Sequence, residues 1–356
     1  MSESKESPDG ANFPQEPVKV AYSKTFEIDT LDGFQVLRIK DPQTGDSRDY
    51  TLVPKGMDAP ENRAVIFTPV RDLSLFSVSF VGYLDALNAL DKVKYIENIN
   101  YIYNPAIIEL YEKGSVMESG LYGQWNMEKL ILNSPELMMI NDFPESSNEL
   151  NKLLKAGIKV LPIMEWQEQD PLARAEWIKV FGALLDQEEE AQFIFDQIEK
   201  DYHKASDEIS PDTSGIQVLF SSMYQGVWYM PGGNSYLANL LRDAKGTYAW
   251  EHTIETGSLS LSFEEVILTS LKNDVWINPD ANSLSELYAR DGRYQKFVEE
   301  LSGGVYQNNK RVNANGGNDY WESGVVRPDL ILKDYAKMLY PDAKKGVELF
   351  YFQKLN

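Results

Sequence analysis

The chain has 356 residues, 34 basic against 55 acidic, and a net charge of −21. It exceeds the usual size of a single core, so two lobes are expected. The acidic balance disfavours a nucleic-acid face or an anionic membrane surface, which need clustered Lys and Arg. The absence of cysteine excludes disulfides, thiolate metal sites and cysteine nucleophiles together.

Residues 1–17 are polar, contain Ser, Pro and Gly, and predict a flexible tether with no signal peptide. A lipoprotein trimmed of its signal and anchoring cysteine would begin this way, and so would a cytosolic protein with a polar start. From Val18 to Pro54 the pattern is strand and turn, with Asp32-Gly33 as a hairpin signal. Residues 64–67 predict a buried strand that opens an α/β alternation, and residues 80–90 predict a helix. Asn104-Pro105 starts another helix that Gly114 ends, and residues 145–156 form a further helix closed by Gly157. This alternation predicts a first lobe over residues 18–170, a mostly parallel sheet covered by helices.

Residues 171–210 are helical. Residues 172–185 predict one helix, and Asp186 with Glu189 three positions on predicts a capping box for a second that runs to about Glu208. At ~1.5 Å per residue the second helix would span ~33 Å, a stiff strut between two lobes. The second lobe is expected over residues 211–356. Residues 216–220 and 227–230 predict neighbouring strands, Ser262 with Glu265 predicts a capping box, and Arg327-Pro328-Asp329 starts the last helix. The expected fold is α/β: two three-layer α/β lobes joined by a long rigid helix, with an N-terminal β-hairpin addition.

Two distant stretches say nearly the same thing. Asn126-Met127-Glu128-Lys129-Leu130-Ile131-Leu132-Asn133-Ser134 precedes the apolar Leu137-Met138-Met139-Ile140. Ser262-Phe263-Glu264-Glu265-Val266-Ile267-Leu268-Thr269-Ser270 precedes Asp274-Val275-Trp276-Ile277. Each predicts an N-cap, a glutamate two positions later, a short amphipathic helix and a buried strand. An acidic mark at one offset in each half suits a clamp whose partner touches both lobes.

Aromatic residues crowd the expected loops and strand ends. Tyr101, Tyr103, Tyr122, Trp125 and Trp166 do so in the first half, and Tyr224, Trp228, Tyr229, Tyr320 and Trp321 in the second. Packing accounts for any one of them; together they suggest the walls of a cleft. Arg71 and Arg327 offer positive charge for an anionic ligand, or a surface or capping role. Asn313-Ala-Asn-Gly-Gly-Asn-Asp-Tyr-Trp321 offers donors to a polar ligand or forms a compact turn, and has too few carboxylates for a calcium loop. The histidines are His203 and His252, which excludes a Zn²⁺ or Mn²⁺ site built from several imidazoles, so no metal site is assigned. No nucleophile elbow, Walker loop or dinucleotide fingerprint is present, so no catalytic residue and no cofactor are assigned. A carboxylate-pair enzyme acting on a glycan or phosphoester stays open because acidic residues are everywhere, although no spacing singles out a pair.

Three segments carry a family resemblance: Gly226-Val-Trp228-Tyr-Met-Pro231-Gly-Gly-Asn-Ser235-Tyr236, Leu259-Ser-Leu-Ser-Phe-Glu264, and Asn313 through Arg327-Pro-Asp329. With them the chain from about Ala64 to Tyr340 resembles the helical-backbone class of substrate-binding proteins of ABC importers. That class binds ferric siderophores, haem and cobalamin, and the last two segments look like a subgroup of Bacteroidetes-type bacteria. The strands before Ala64 depart from the family pattern. The resemblance implies a monomeric, periplasmic, lipid-anchored protein that holds a metal chelate between its lobes, without catalysis, and delivers it to a permease dimer with its ATPase. A sensor that captures a ligand without transport is the rival binding role. Expected ligand contacts are Arg71, Tyr101, Tyr122, Trp125, Trp166, Tyr224, Trp228, Tyr229, Trp321 and Arg327. Glu128 and Glu264 match the family's permease-docking glutamates.

Overall fold

A computed structural model describes residues 18–121, 124–141, 148–209, 215–270 and 273–356. The first strands are β1 (Phe26–Leu31), β2 (Phe34–Lys40), β3 (Ser47–Pro54) and β4 (Val65–Thr68), in one sheet of order β1-β2-β3-β4. Asp32 and Gly33 both take positive φ between β1 and β2, which gives the tight turn that the Asp-Gly pair predicts. β4 runs parallel to β3 and closes this sheet. The expectation that residues 64–67 open the α/β alternation is therefore corrected.

The first lobe's parallel sheet has five strands: β5 (Leu73–Leu75), β6 (Val93–Ile96), β7 (Met117–Glu118), β8 (Leu137–Ile140) and β9 (Lys159–Pro162), in the order β7-β6-β5-β8-β9. Its helices are α1 (Ser79–Ala86), α2 (Pro105–Glu112), α3 (Met127–Leu132) and α4 (Asn148–Lys155). Every residue of β8 is fully buried, as a strand covered on both faces must be. One apolar cluster runs from Phe26 through this lobe to Leu355, while Phe76, Tyr95, Leu130, Met138 and Leu153 form a separate cluster.

The linker comprises α5 (Pro171–Glu176), α6 (Ile178–Leu185) and α7 (Glu188–Asp207). The single helix expected over residues 172–185 is broken at Trp177. Asp186 does not cap α7; it ends α6 in the left-handed conformation, which Asp tolerates better than most side chains. α7 has 20 residues, ~30 Å of helix, and buries the stripe Ala191, Phe195, Ile198, Tyr202 and Ala205. All eight residues of α6 are buried, with Phe181 stacked 4.6 Å from Tyr83 of α1. The joint between the lobes is thus part of the core.

Buried carboxylates tie the N-terminal arm to this joint. Glu176 accepts the backbone N–H groups of Ala21, Tyr22 and Ser23 at 2.8, 2.8 and 2.9 Å, and Lys179 Nζ at 2.8 Å. Glu168 accepts the hydroxyls of Ser23 and Thr25.

The second lobe contains β10 (Val218–Phe220), β11 (Met223–Tyr224), β12 (Val227–Pro231), α8 (Tyr236–Asp243), β13 (Ser258–Leu261), α9 (Phe263–Ser270), β14 (Val275–Ile277), α10 (Leu284–Arg290), α11 (Tyr294–Glu300), β15 (Gly304–Gln307), α12 (Asp319–Glu322), α13 (Pro328–Leu339) and β16 (Gln353–Lys354). Its main sheet is β10-β14-β15-β16, parallel except for β16. β12 is not the sheet neighbour of β10; it lies in a separate antiparallel sheet with β11 and β13. The predicted capping box forms: Ser262 N–H donates to Glu265 at 2.7 Å, and Glu265 N–H donates to Ser262 Oγ at 3.2 Å.

Candidate functional site

In an open parallel sheet, ligands collect at the carboxyl ends of the strands. Here the residues that follow β5, β6 and β8 are Phe76-Ser77, Glu97 and Asn141, and all four line one cavity of about 320 Å³. The opposite wall comes from the second lobe, with Gly316, Asn318 and Trp321. Tyr101 completes it. A neighbouring cavity of about 460 Å³ also has walls from both lobes: Trp166, Gln167 and Gln169 face Tyr229, Ser235 and Tyr236. A larger hollow of about 890 Å³ lies between α9 and α11, lined by the second lobe alone, and has no share in the cleft.

A small pocket shares Tyr236 with one cavity and Trp321 with the other. Arg174 lies beside Tyr236, which lines one cavity, and Trp321, which lines the other. Its guanidinium stands 3.6 Å from the buried Glu165 and 5.4 Å from the centre of the Tyr236 ring. Glu165 also accepts Ser79 Oγ at 2.7 Å, and Ser79 is 2.7 Å from Ser77 of the wall. Burial pushes the Glu165 carboxyl above the ordinary carboxylate range, against the pull of Arg174.

The Asn-Gly segment of the second lobe locks onto the first. Asn313 Nδ2 donates to the carbonyl of Ile102 at 2.8 Å, while its Oδ1 accepts the N–H of Gly317 at 3.0 Å. A Cβ at Gly317 would collide with the Ile102 carbonyl, so only glycine permits this approach. Glu322 accepts the N–H groups of Tyr103 and Asn104 at 2.6 and 2.8 Å, across the lobes. Burial pushes its pKa up to about 8. The segment is therefore a compact turn in which Asn313 serves the interlobe contact, while Gly316 and Asn318 stay in the cavity wall.

Of the ten residues expected at the ligand, Tyr101, Trp166, Tyr229 and Trp321 line the cleft. They are between 42% and 51% exposed. Trp166 is oriented by its Nε1, which donates to the Asn141 carbonyl at 2.8 Å. Trp125 stands behind the wall, edge-on to Phe76 at 5.9 Å. Tyr122 lies outside the described residues. Tyr224 is exposed on β11, outside the residues that line either cavity.

Trp228 must be corrected. It is fully buried inside the second lobe, stacked 5.9 Å from Trp276, with Nε1 donating to the Phe220 carbonyl. Successive side chains of a strand point to opposite faces, so β12 turns Trp228 into the core and Tyr229 into the cleft. Arg71 is corrected too. It precedes β5, at the amino ends of the parallel strands, and its N–H bonds to Glu136, which precedes β8. Arg327 is held by Asp329 through two hydrogen bonds, at 2.8 and 2.9 Å, at the start of α13. It is not among the residues lining either cavity.

The sequence reading missed Ser77, Glu97, Asn141 and Gln167. The first three follow parallel strands directly, and that position was the available signal.

Glu128 and Glu264 are both exposed and occupy the second positions of α3 and α9. Each helix leads into the amino end of a parallel strand, so its own start lies toward the carboxyl ends, on the cleft side. Among the described residues no cluster of three His, Asp or Glu is placed to hold a metal ion, and no helix is long and apolar enough to cross a membrane.

A family profile described as "periplasmic binding protein" matches residues 80–285. An uncharacterized lipoprotein of Methanocaldococcus jannaschii is 25% identical over 308 residues, covering 83% of this chain and 71% of the relative. Among solved structures, a periplasmic haem-binding protein from Pseudomonas aeruginosa aligns with a TM-score of 0.61 at 14% identity, covering 81% of this chain and 98% of the other. The siderophore-binding protein FeuA from Bacillus subtilis, complexed with ferri-bacillibactin, aligns at 0.57 and 15% identity, covering 81% and 98%. The periplasmic vitamin B12-binding protein BtuF of Vibrio cholerae aligns at 0.53 and 14% identity, covering 78% and 99%. At such identities the shared property is the two-lobed α/β fold.

Proposed function

Because this chain belongs to the periplasmic binding protein family, we propose that it captures a metal chelate between its lobes and delivers it to an ABC importer. The observation that carries this reading is the cleft itself. Two adjoining cavities have walls from both lobes, and half-exposed aromatic rings face them from either side. Such walls suit a large, rigid, partly apolar ligand that a few polar groups orient. The chelates named for the structural neighbours fit that description.

Capture needs no chemistry at the cleft. Tyr101, Trp166, Tyr229 and Trp321 form the ligand walls, with Trp125 supporting one of them. Glu128 and Glu264 dock onto the permease dimer, one from each lobe, where complementary charge sets encounter rate and register. The protein works as a monomer in the periplasm on a lipid-anchored tether.

Native mass spectrometry with a panel of cobalamin, haem and ferric siderophores tests capture. One chelate is expected to bind at one-to-one stoichiometry, to quench tryptophan emission, and to bind at least about tenfold more weakly to Trp166→Ala. Uptake in cells that carry the importer tests delivery. The Glu128→Lys/Glu264→Lys protein should bind ligand normally and fail to deliver it. Normal delivery by that variant removes the docking role. Binding with no uptake in any variant favours the sensor reading.

A further inference from the structure

The N-terminal sheet lies outside residues 80–285, which the family profile matches, yet its tip stands in the cleft. Pro42 and Gln43, in the turn between β2 and β3, line the larger interlobe cavity together with Tyr229 and Tyr236 of the second lobe. The turn is closed by its own bonds. The buried Asp41 carboxylate accepts the Gln43 N–H at 2.8 Å and the Thr44 hydroxyl at 3.1 Å, and the Asp41 carbonyl accepts the Gly45 N–H at 2.8 Å. Gly45 has φ +79°, which glycine adopts without strain. The base of the turn is moored to the cavity wall. The Lys40 N–H donates to the Thr25 carbonyl at 2.7 Å, and the Thr25 hydroxyl donates to Glu168, which lines the same cavity. The tip and residues 166–169 therefore hold a fixed relation before any ligand arrives.

Three carboxamide residues line this cavity, Gln43 at the tip and Gln167 and Gln169 in the first lobe. Gln167 Oε1 is buried and has no hydrogen-bond partner among the described residues. Among those residues Gln43 and Gln169 are engaged through the backbone alone, as donor to Asp41 and as acceptor from Asn239. A buried acceptor left unpaired is a cost to the empty protein, and a ligand that brings an N–H to it removes that cost. A carboxamide has a donor edge and an acceptor edge, so the group that matches it on both is another amide. We propose that the N-terminal sheet is a third wall of the ligand site, where Gln43, Gln167 and Gln169 hold amide groups on the edge of the bound chelate. This rests on the chelate-capture reading and deepens it, by naming the ligand's edge and the added segment that selects it. The rings of Trp166 and Tyr229, in the same cavity, cover the ligand's apolar body.

Three probes test this by tryptophan quenching and calorimetry. They are cyanocobalamin, whose corrin edge carries carboxamide arms, a linear ferric trihydroxamate with amide spacers, and haem, which has no amide. At least one amide-bearing probe should bind at least about tenfold more tightly than haem. In the Gln43→Ala/Gln167→Leu protein that probe should lose at least about tenfold in affinity, one neutral hydrogen bond being lost at each position.

Thermal melts of the empty protein separate binding from folding. Gln43 is exposed, so Gln43→Ala should leave Tm unchanged, and Gln167→Leu, which deletes the unpaired acceptor, should hold or raise it. Affinity lost only in step with Tm would mark the glutamines as structural and overturn the proposal. Unchanged affinity in the double variant overturns it too, as does haem bound as tightly as the amide-bearing probes; in both cases chelate capture itself stands. Failure of all three probes to bind removes the capture reading, and the proposal falls with it.

Discussion

The exposed glutamates of the rim and the buried glutamates of the interior share a side chain and nothing else. On the rim, other residues already satisfy the helix ends. Asn126 accepts the Lys129 N–H at the start of α3, and Ser262 with Glu265 forms the capping box of α9. Glu128 and Glu264 take no part in either cap. In the interior, Glu176 and Glu322 each accept backbone N–H groups from a segment far away in sequence. A carboxylate that gathers distant backbone donors is a structural tie. One left exposed beside a completed cap is available to a partner, and a helix-dipole contribution of ~0.3–1 kcal/mol does not explain its presence at one offset in both lobes.

This contrast is breakable at its strong end first. Glu176→Ala removes the acceptor of three N–H groups and strands the buried Lys179, so it should cost about 3–5 kcal/mol in urea unfolding. An unchanged urea midpoint would dissolve the distinction between the two classes. Glu322 comes next, through pH. Its native pKa of about 8 lies above that of an unfolded glutamate, near 4.3. As pH rises the unfolded chain therefore releases its proton first, and stability falls between about pH 4.5 and pH 8. Glu322→Gln should flatten this portion of the Tm-against-pH curve. An identical slope in the variant would mean that the carboxyl titrates normally.

Smaller effects sharpen the rim. Ser262→Ala should cost about 1 kcal/mol, and Asn126→Ala a similar amount, because each strands an N–H at a helix start. Reversing Glu128 and Glu264 together to Lys should shift stability by less than about 0.5 kcal/mol per site. A thermal melt of that double variant separates the cap from the exposed acid beside it. A loss comparable to that of the cap variants would restore the helix-dipole account.

The alternation of strands and helices, the repeated helix-strand unit and the caps of α3 and α9 were legible because they depend on local periodicity and turn chemistry, whereas the cap expected at Asp186 was not formed. Sheet membership was not. Residues 64–67 carry the pattern of a buried strand, and only long-range pairing with β3 removes them from the parallel sheet. That one pairing also reverses Arg71, from the cleft end of a strand to the opposite end of the next. Trp228 and Tyr229 show the same limit at the scale of one residue. The sequence places an aromatic pair on a strand, but which ring faces the cleft depends on which face of β12 packs on Trp276. Glu322 and Asn313 form ties across more than 200 residues of chain, and no local pattern reports such a partner.

The arm that Glu176 and Glu168 hold gives the molecule a mechanical layout. Residues 21–25 are fastened to the joint between the lobes, so a pull on this arm enters the fold there. Several hydrogen bonds share that load. Under the proposed anchoring, tension on the N-terminal arm reaches the joint before either lobe.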